Sequence, residues 1–207
     1  MSNRISPLHL VLLLLTTLVF AWSAWRPYDR ITWWLEVAPG LIGAALLIVT
    51  YSTFRFTTLV YTLIALHIML LCVGGHYTYA RVPFFTWIEP YFGFERNHFD
   101  RLGHFMQGFV PALIARELFI RLRIVTAGSW RFAIVILICM GISAIYELLE
   151  WATALISSEA AESFLGTQGD VWDTQTDMFM ALVGATCALL LLSRWQDRQM
   201  RQLPSRW

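Results

Sequence analysis

The stretch RFAIVILICMGISAIYELLEWA, residues 131–152, decides what kind of protein this is. It carries no charged side chain between Arg131 and Glu147. A membrane-spanning helix needs about 20 mostly apolar residues, and this stretch supplies them. Working outward, five further runs have the same character, at about 8–25, 33–51, 57–75, 101–119 and 174–193. The chain is 57% hydrophobic and only 14% charged, where a soluble domain has roughly 25% charged residues. Its 207 residues therefore leave no room for a soluble domain beside the apolar runs. The expectation is an all-α polytopic membrane helix bundle with six transmembrane helices, a single integral membrane domain over residues 1–207. Trp22, Trp25, Trp33, Trp34, Tyr51, Trp130, Trp151, Trp172 and Trp195 fall at the ends of the runs, where such rings prefer the headgroup level.

Arg4 followed by Leu8 to Ala21 has the outline of a signal peptide. Cleavage after Ala24 would put bulky Trp22 where a small residue is wanted, which favours an uncleaved first helix. Cys72, Cys139 and Cys187 lie in apolar stretches and read as small packing residues. Their spacing matches neither a disulfide framework nor a zinc site. The net charge of +1, with arginine as the sole basic residue type besides histidine, gives no footprint for nucleic acid.

Arginine sets the orientation. Arg116, Arg121, Arg123 and Arg131 surround the fourth connection, and Arg194, Arg198, Arg201 and Arg206 follow the last run. The connection between the fifth and sixth runs has no basic residue. The positive-inside rule then places both termini in the cytoplasm. Arg26 and Arg30 run against this orientation. Under the same topology, Glu117 and Asp197 alone among the acids are inside, and every other acid lies outside or in an outer helix end. Acids contribute little to topology, so the skew points either to a negative outer surface or to a polar site on that side.

Helical spacing sorts those acids into stripes, because residues three, four and seven apart share a helix face. One stripe is Asp100, His104 and Gln107, and another is Ser143, Glu147 and Glu150 with Tyr146 beside it. The third is Asp170, Asp173 and Asp177, continued by Ala181, Gly184 and Ala188. The small residues allow close approach of a neighbouring helix. His104, Glu147 and Asp177 each sit about one turn inside their helix ends, so one shared pocket is expected. His67 lies near the middle of the third run and His76 just past its outer end. Simpler readings stand beside this one. Glu150, Asp170 and Asp173 are placed where water would solvate them, and the last two also suit a helix N-terminus. Glu147 and Asp177 would serve as helix–helix hydrogen-bonding groups, and the histidines as packing or surface residues.

Two chemistries fit the set. His104 with Asp100 and Glu147 would act as a catalytic acid–base group. Alternatively His104, Glu147, Glu150, Asp173 and Asp177 would hold a divalent metal cation, with Asp170, Gln107, His76 and His67 as further binding residues. The spacing matches neither Glu-x-x-His pairs nor His-Glu-x-x-His. Residues 76–100 are rich in rings, including Tyr77, Tyr79, Phe84, Phe85, Trp87 and Tyr91. They suit a segment lying at the interface or covering the site. The expected function is binding or modification of an envelope lipid or lipid-linked precursor. A small transporter or cation-binding protein, and a purely structural role for the acids, are the alternatives.

The runs Asn97-His98-Phe99-Asp100-Arg101-Leu102-Gly103-His104-Phe105, Tyr146-Glu147-Leu148-Leu149-Glu150-Trp151 and Gly166 to Asp177 resemble the YjdF family of bacterial inner-membrane proteins over nearly the whole chain. That family has no established biochemical role, so the resemblance implies a multi-pass location in the bacterial inner membrane, with membrane lipids as partners. The second half is also similar to VanZ-like proteins of the cell envelope. Asp100 with His104-Phe105, Glu147-x-x-Glu150, Asp173 and Gly184 carry that similarity, while Glu150, Asp177 and Met180 depart from it. A topology reporter fused after residue 160 is expected to read outside the cytoplasm; a cytoplasmic signal would overturn the orientation.

Overall fold

A computed structural model describes residues 6–156 and 167–203. Arg4, Arg206, Glu159, Glu162 and Gly166 lie outside the described residues. Within them the chain is helical: α1 (Pro7–Ser23), α2 (Arg30–Thr50), α3 (Thr58–Tyr77), a 3-10 turn (Tyr79–Arg81), α4 (Pro83–Phe92), α5 (Phe99–Arg121), α6 (Gly128–Ile156) and α7 (Asp173–Met200). No strand occurs among the described residues. Four helices, α2, α3, α6 and α7, are long and apolar enough to cross a membrane. The fold is that of a helical membrane protein.

The six apolar runs are all helical, yet two fall short as spans by length and hydropathy. α1 has 17 residues, and α5 carries Asp100, Arg101, Arg116, Glu117 and Arg121. Helix ends also extend beyond the expected limits, most of all in α7, which continues through Arg194 and Arg198 to Met200. Hydropathy marks where apolar sequence stops, whereas the backbone hydrogen-bond ladder continues into charged sequence. The ring-rich segment contains a helix of its own. Pro83 opens α4 at a position where its missing N–H costs nothing, and Gly93, at φ +65°, closes it in the left-handed region. Phe84, Trp87, Tyr91 and Phe92 of this helix are exposed.

α3 and α5 are central: α3 packs against α1, α2 and α5, and α5 against α3, α6 and α7. The α5–α7 crossing is the closest. A Cβ at Gly108 would overlap the carbonyl of Ala181, and one at Gly184 the carbonyl of Phe105. The two backbones therefore touch, with Ala181, Ala185 and Ala188 fully buried alongside. In lipid, where apolar burial drives little association, such backbone packing supplies much of the adhesion.

The Arg-rich end is closed by a buried polar network. Glu117, fully buried, accepts from the Thr57 N–H at 2.9 Å, the Thr57 hydroxyl at 2.7 Å and Arg121 at 2.8 Å. Arg116 donates to Gln196 at 2.8 Å and Asp197 at 2.7 Å, and Gln196 donates to the Leu113 carbonyl at 2.7 Å. The Leu59 N–H donates to Gln199 at 2.9 Å. Two of the donors at the start of α3, where intrahelical partners are lacking, are thus satisfied by side chains from α5 and α7, and the Val60 N–H is capped by the Thr57 hydroxyl. Gly108→Ala is expected to destabilise the protein by about 1–3 kcal/mol through overpacking, read as a lower melting temperature in detergent. Gly141→Ala, where a Cβ meets nothing within 4 Å, is the matched control and should leave it unchanged.

Candidate functional site

The helical spacing of α5 puts Asp100, His104 and Gln107 on one face, and this face turns toward α6 and α7 at the acid-rich end. The Nε2 of His104 lies 3.5 Å from Asp100 Oδ1. Its Nδ1 lies 3.2 Å from Gln107 Oε1 and 3.8 Å from Glu147 Oε1. Asp100, His104 and Asp177 offer ligand atoms all within 4.8 Å of one another, and so do His104, Glu147 and Glu150. The three stripes thus meet around one imidazole. Asp100, His104, Glu147, Glu150 and Asp177 are each more than nine-tenths buried, as are Asp173 and Glu36.

Arg96 enters from the loop before α5 and pairs with Asp173, with Asp170 at 3.3 Å and with Asp100 at 3.7 Å. Arg101 holds Asp170 at 2.7 Å. Asp170 is therefore a rim residue. Its carboxyl is kept below the usual carboxylate range by the Trp172 N–H and then by Arg101 and Arg96. A reciprocal pair of hydrogen bonds fastens the segment before α7 to the start of α5: Asn97 N–H to Gln168 Oε1 at 2.8 Å and Gln168 Nε2 to the Asn97 carbonyl at 3.0 Å. Gln168 and Gly169 are both in the left-handed region, at φ 49° and 86°, and the paired bonds hold the non-glycine residue there against its steric preference. Asn97 Nδ2 also donates to Val82 and Thr86, each at 3.0 Å, which links α4 to the same corner.

A cavity of about 780 Å³ runs from this cluster toward the opposite end of the bundle. Glu36, Tyr79, Asp100, His104, Gln107, Tyr146 and Glu150 form its polar head, and Gly43, Leu47, Ile64, Ile114 and Leu118 are among the residues that form its apolar body. Glu147, Asp173 and Asp177 are not among the residues that line it. Tyr146 donates to Glu36 Oε2 at 3.0 Å, bridging α6 and α2 across the head.

Not every expected residue joins the cluster. His76 is held elsewhere, with Nδ1 3.0 Å from the Ser23 carbonyl and its ring against Trp22 at 4.5 Å. It ties α1 to α3 because the end of α3 turns toward α1. His67 lines the body of the cavity, away from the acids. Two participants were not singled out from the sequence. Glu36 was not singled out, although a carboxylate within the apolar run 33–51 is itself a signal. Arg96 was likewise not singled out, although an acid surplus calls for a cation. The assembled groups are fitted to proton transfer at His104, to cation binding, or to gripping a donor-rich headgroup.

Comparison with known proteins agrees with this helical architecture. A family described as "Predicted membrane protein (DUF2238)" matches residues 8–198. The chain is 44% identical over 203 residues to "Inner membrane protein YjdF" of Escherichia coli (strain K12), an alignment covering 98% of this chain and 97% of that one. No solved structure matches. Arg96→Ala leaves buried Asp173 and Asp100 without their cation and is expected to cost about 3–5 kcal/mol. Arg101→Ala, at a side chain 25% exposed, should cost much less. Thermal unfolding of the two variants in detergent checks the order.

Proposed function

This chain belongs to the DUF2238 family of predicted membrane proteins, and we propose that it is a six-span inner-membrane protein that binds an envelope lipid or lipid-linked precursor in an outward-facing acidic pocket. Both termini are cytoplasmic in this reading, which the arginine distribution supports. His104 is the group that would move a proton on the bound headgroup, with Asp100 and Glu147 fixing its ring.

The observation that carries the reading is the two-part character of the cavity. Its head is lined by carboxylates, a histidine and tyrosine hydroxyls, and its body by aliphatic side chains. From Glu36 to Thr50 along α2 it extends about 21 Å, more than one leaflet of a hydrocarbon core roughly 30 Å thick. A molecule with a polar end and a long apolar tail matches both halves. Access from the side is supported by the helix arrangement: α2 and α6 wall the cavity, yet each packs chiefly on other helices. A second reading, movement of a small cation, draws on His67 midway along the cavity and on its reach to Thr53 and Leu122 at the Arg-rich end. It calls for ion-coupled uptake into vesicles.

Gly43 provides a test that leaves the acids alone. It lines the cavity body, and a Cβ there meets nothing within 4 Å. Gly43→Phe is therefore expected to fill the body without loss of folding. Mass spectrometry of protein purified in mild detergent should show a retained lipid in the wild type. The variant, at an unchanged melting temperature, should retain about tenfold less, the equivalent of roughly 1.4 kcal/mol. Equal lipid content in the two proteins would refute the reading.

A further inference from the structure

We propose that Asp100, His104 and Asp177 form a site for one divalent transition-metal ion of the zinc or manganese class. The site shares Asp100 and His104 with the head of the cavity, while Asp177 is not among the residues that line it.

The arrangement of His104 is the starting point. In the tautomer that directs Nδ1–H at Gln107 Oε1, 3.2 Å away, Nε2 presents a lone pair. That lone pair faces Asp100 Oδ1 at 3.5 Å. Asp177 completes the trio, with one ligand atom from each residue within 4.8 Å of the others. A lone pair and two carboxylates converging in a buried place repel one another unless something positive sits between them. Arg96 does not fill that role at Asp100 Oδ1, because it approaches the other oxygen, Oδ2, at 3.7 Å.

A second, independent observation points to the same spot. Asp177 is 2% exposed, and its Oδ1 has no hydrogen-bond partner. An ionised oxygen buried without a donor costs several kcal/mol, and a cation is the partner that meets all three ligands at once. Glu147, Glu150, Glu36 and Asp173 surround the trio and add to the negative field; Arg96 is the one guanidinium among the described residues that pairs with the trio. One imidazole and two carboxylates suit zinc, manganese or iron rather than calcium or magnesium. Metal–ligand bonds of about 2.1 Å put donor atoms up to about 4.2 Å apart, so small side-chain rotations complete the shell. The Gln107 contact then takes the usual place of the outer hydrogen bond that orients a metal-bound histidine.

The test uses the full chain in detergent, stripped with chelator and titrated with Mn²⁺, followed by electron paramagnetic resonance, and with Zn²⁺, followed by calorimetry. One ion per chain is expected. Asp177→Asn and Asp100→Asn, each checked for an unchanged helical spectrum, should weaken binding by more than about 100-fold, since loss of a partner that only orients a ligand already costs roughly 10–100-fold. Glu147→Gln, on the Nδ1 side, should change it by less than about tenfold. Absence of a stoichiometric site, or equal affinity in the wild type and Asp177→Asn, overturns the proposal. Lipid retained by a protein that binds no ion would sink the metal site alone, and an ion bound without lipid would sink the lipid reading alone.

Discussion

A charged side chain facing hydrocarbon is costly, and α5 carries such groups at both of its ends. Asp100 and His104 lie near its start, and Arg116, Glu117 and Arg121 near its finish. A helix of this kind is tolerated only when other helices surround it. The rest of the bundle follows from that demand. α3, α6 and α7 enclose α5, and the closest of them, α7, presents glycine and alanine where the backbones touch. The polar residues of α7 are spaced so that Asp173 and Asp177 meet the first end of α5 while Gln196 and Asp197 meet the second.

The two ends solve the same problem differently. At the Arg-rich end Glu117 is saturated by donors from three directions, and Arg116 has two acceptors. At the acid-rich end the count does not close. Seven buried ionisable groups meet one guanidinium, and Glu147 Oε1 and Asp177 Oδ1 have no hydrogen-bond partner. A satisfied network reads as structural support, whereas an unsatisfied one holds free energy that a ligand can release. That contrast, within one helix pair, is the strongest reason to look for function at the acid-rich end.

Much of this was legible in the sequence. The uncharged run before Glu147 announced a membrane helix, and the spacing of Asp100, His104, Glu147 and Asp177 announced a common level. Periodicity reports face and depth along a single helix, so groups on neighbouring helices at equal depth can be matched without coordinates. It does not report which helices are neighbours. Glu36 therefore stayed unassigned until α2 was seen beside α6, and His76 was grouped with the acids although α1 claims it. Arg96 escaped for a related reason: it sits in a loop, where no period fixes its direction. No helix was assigned within the ring-rich connection, although Pro83 stands at the first helical position, where proline is favoured.

The bond from Tyr146 to Glu36 joins two helices that otherwise pack on different neighbours. A hydrogen bond to a carboxylate contributes about 1.5–3 kcal/mol, a small barrier beside the stability of either helix. The head of the cavity is thus fastened between α2 and α6 by a hydrogen bond rather than by close helix packing.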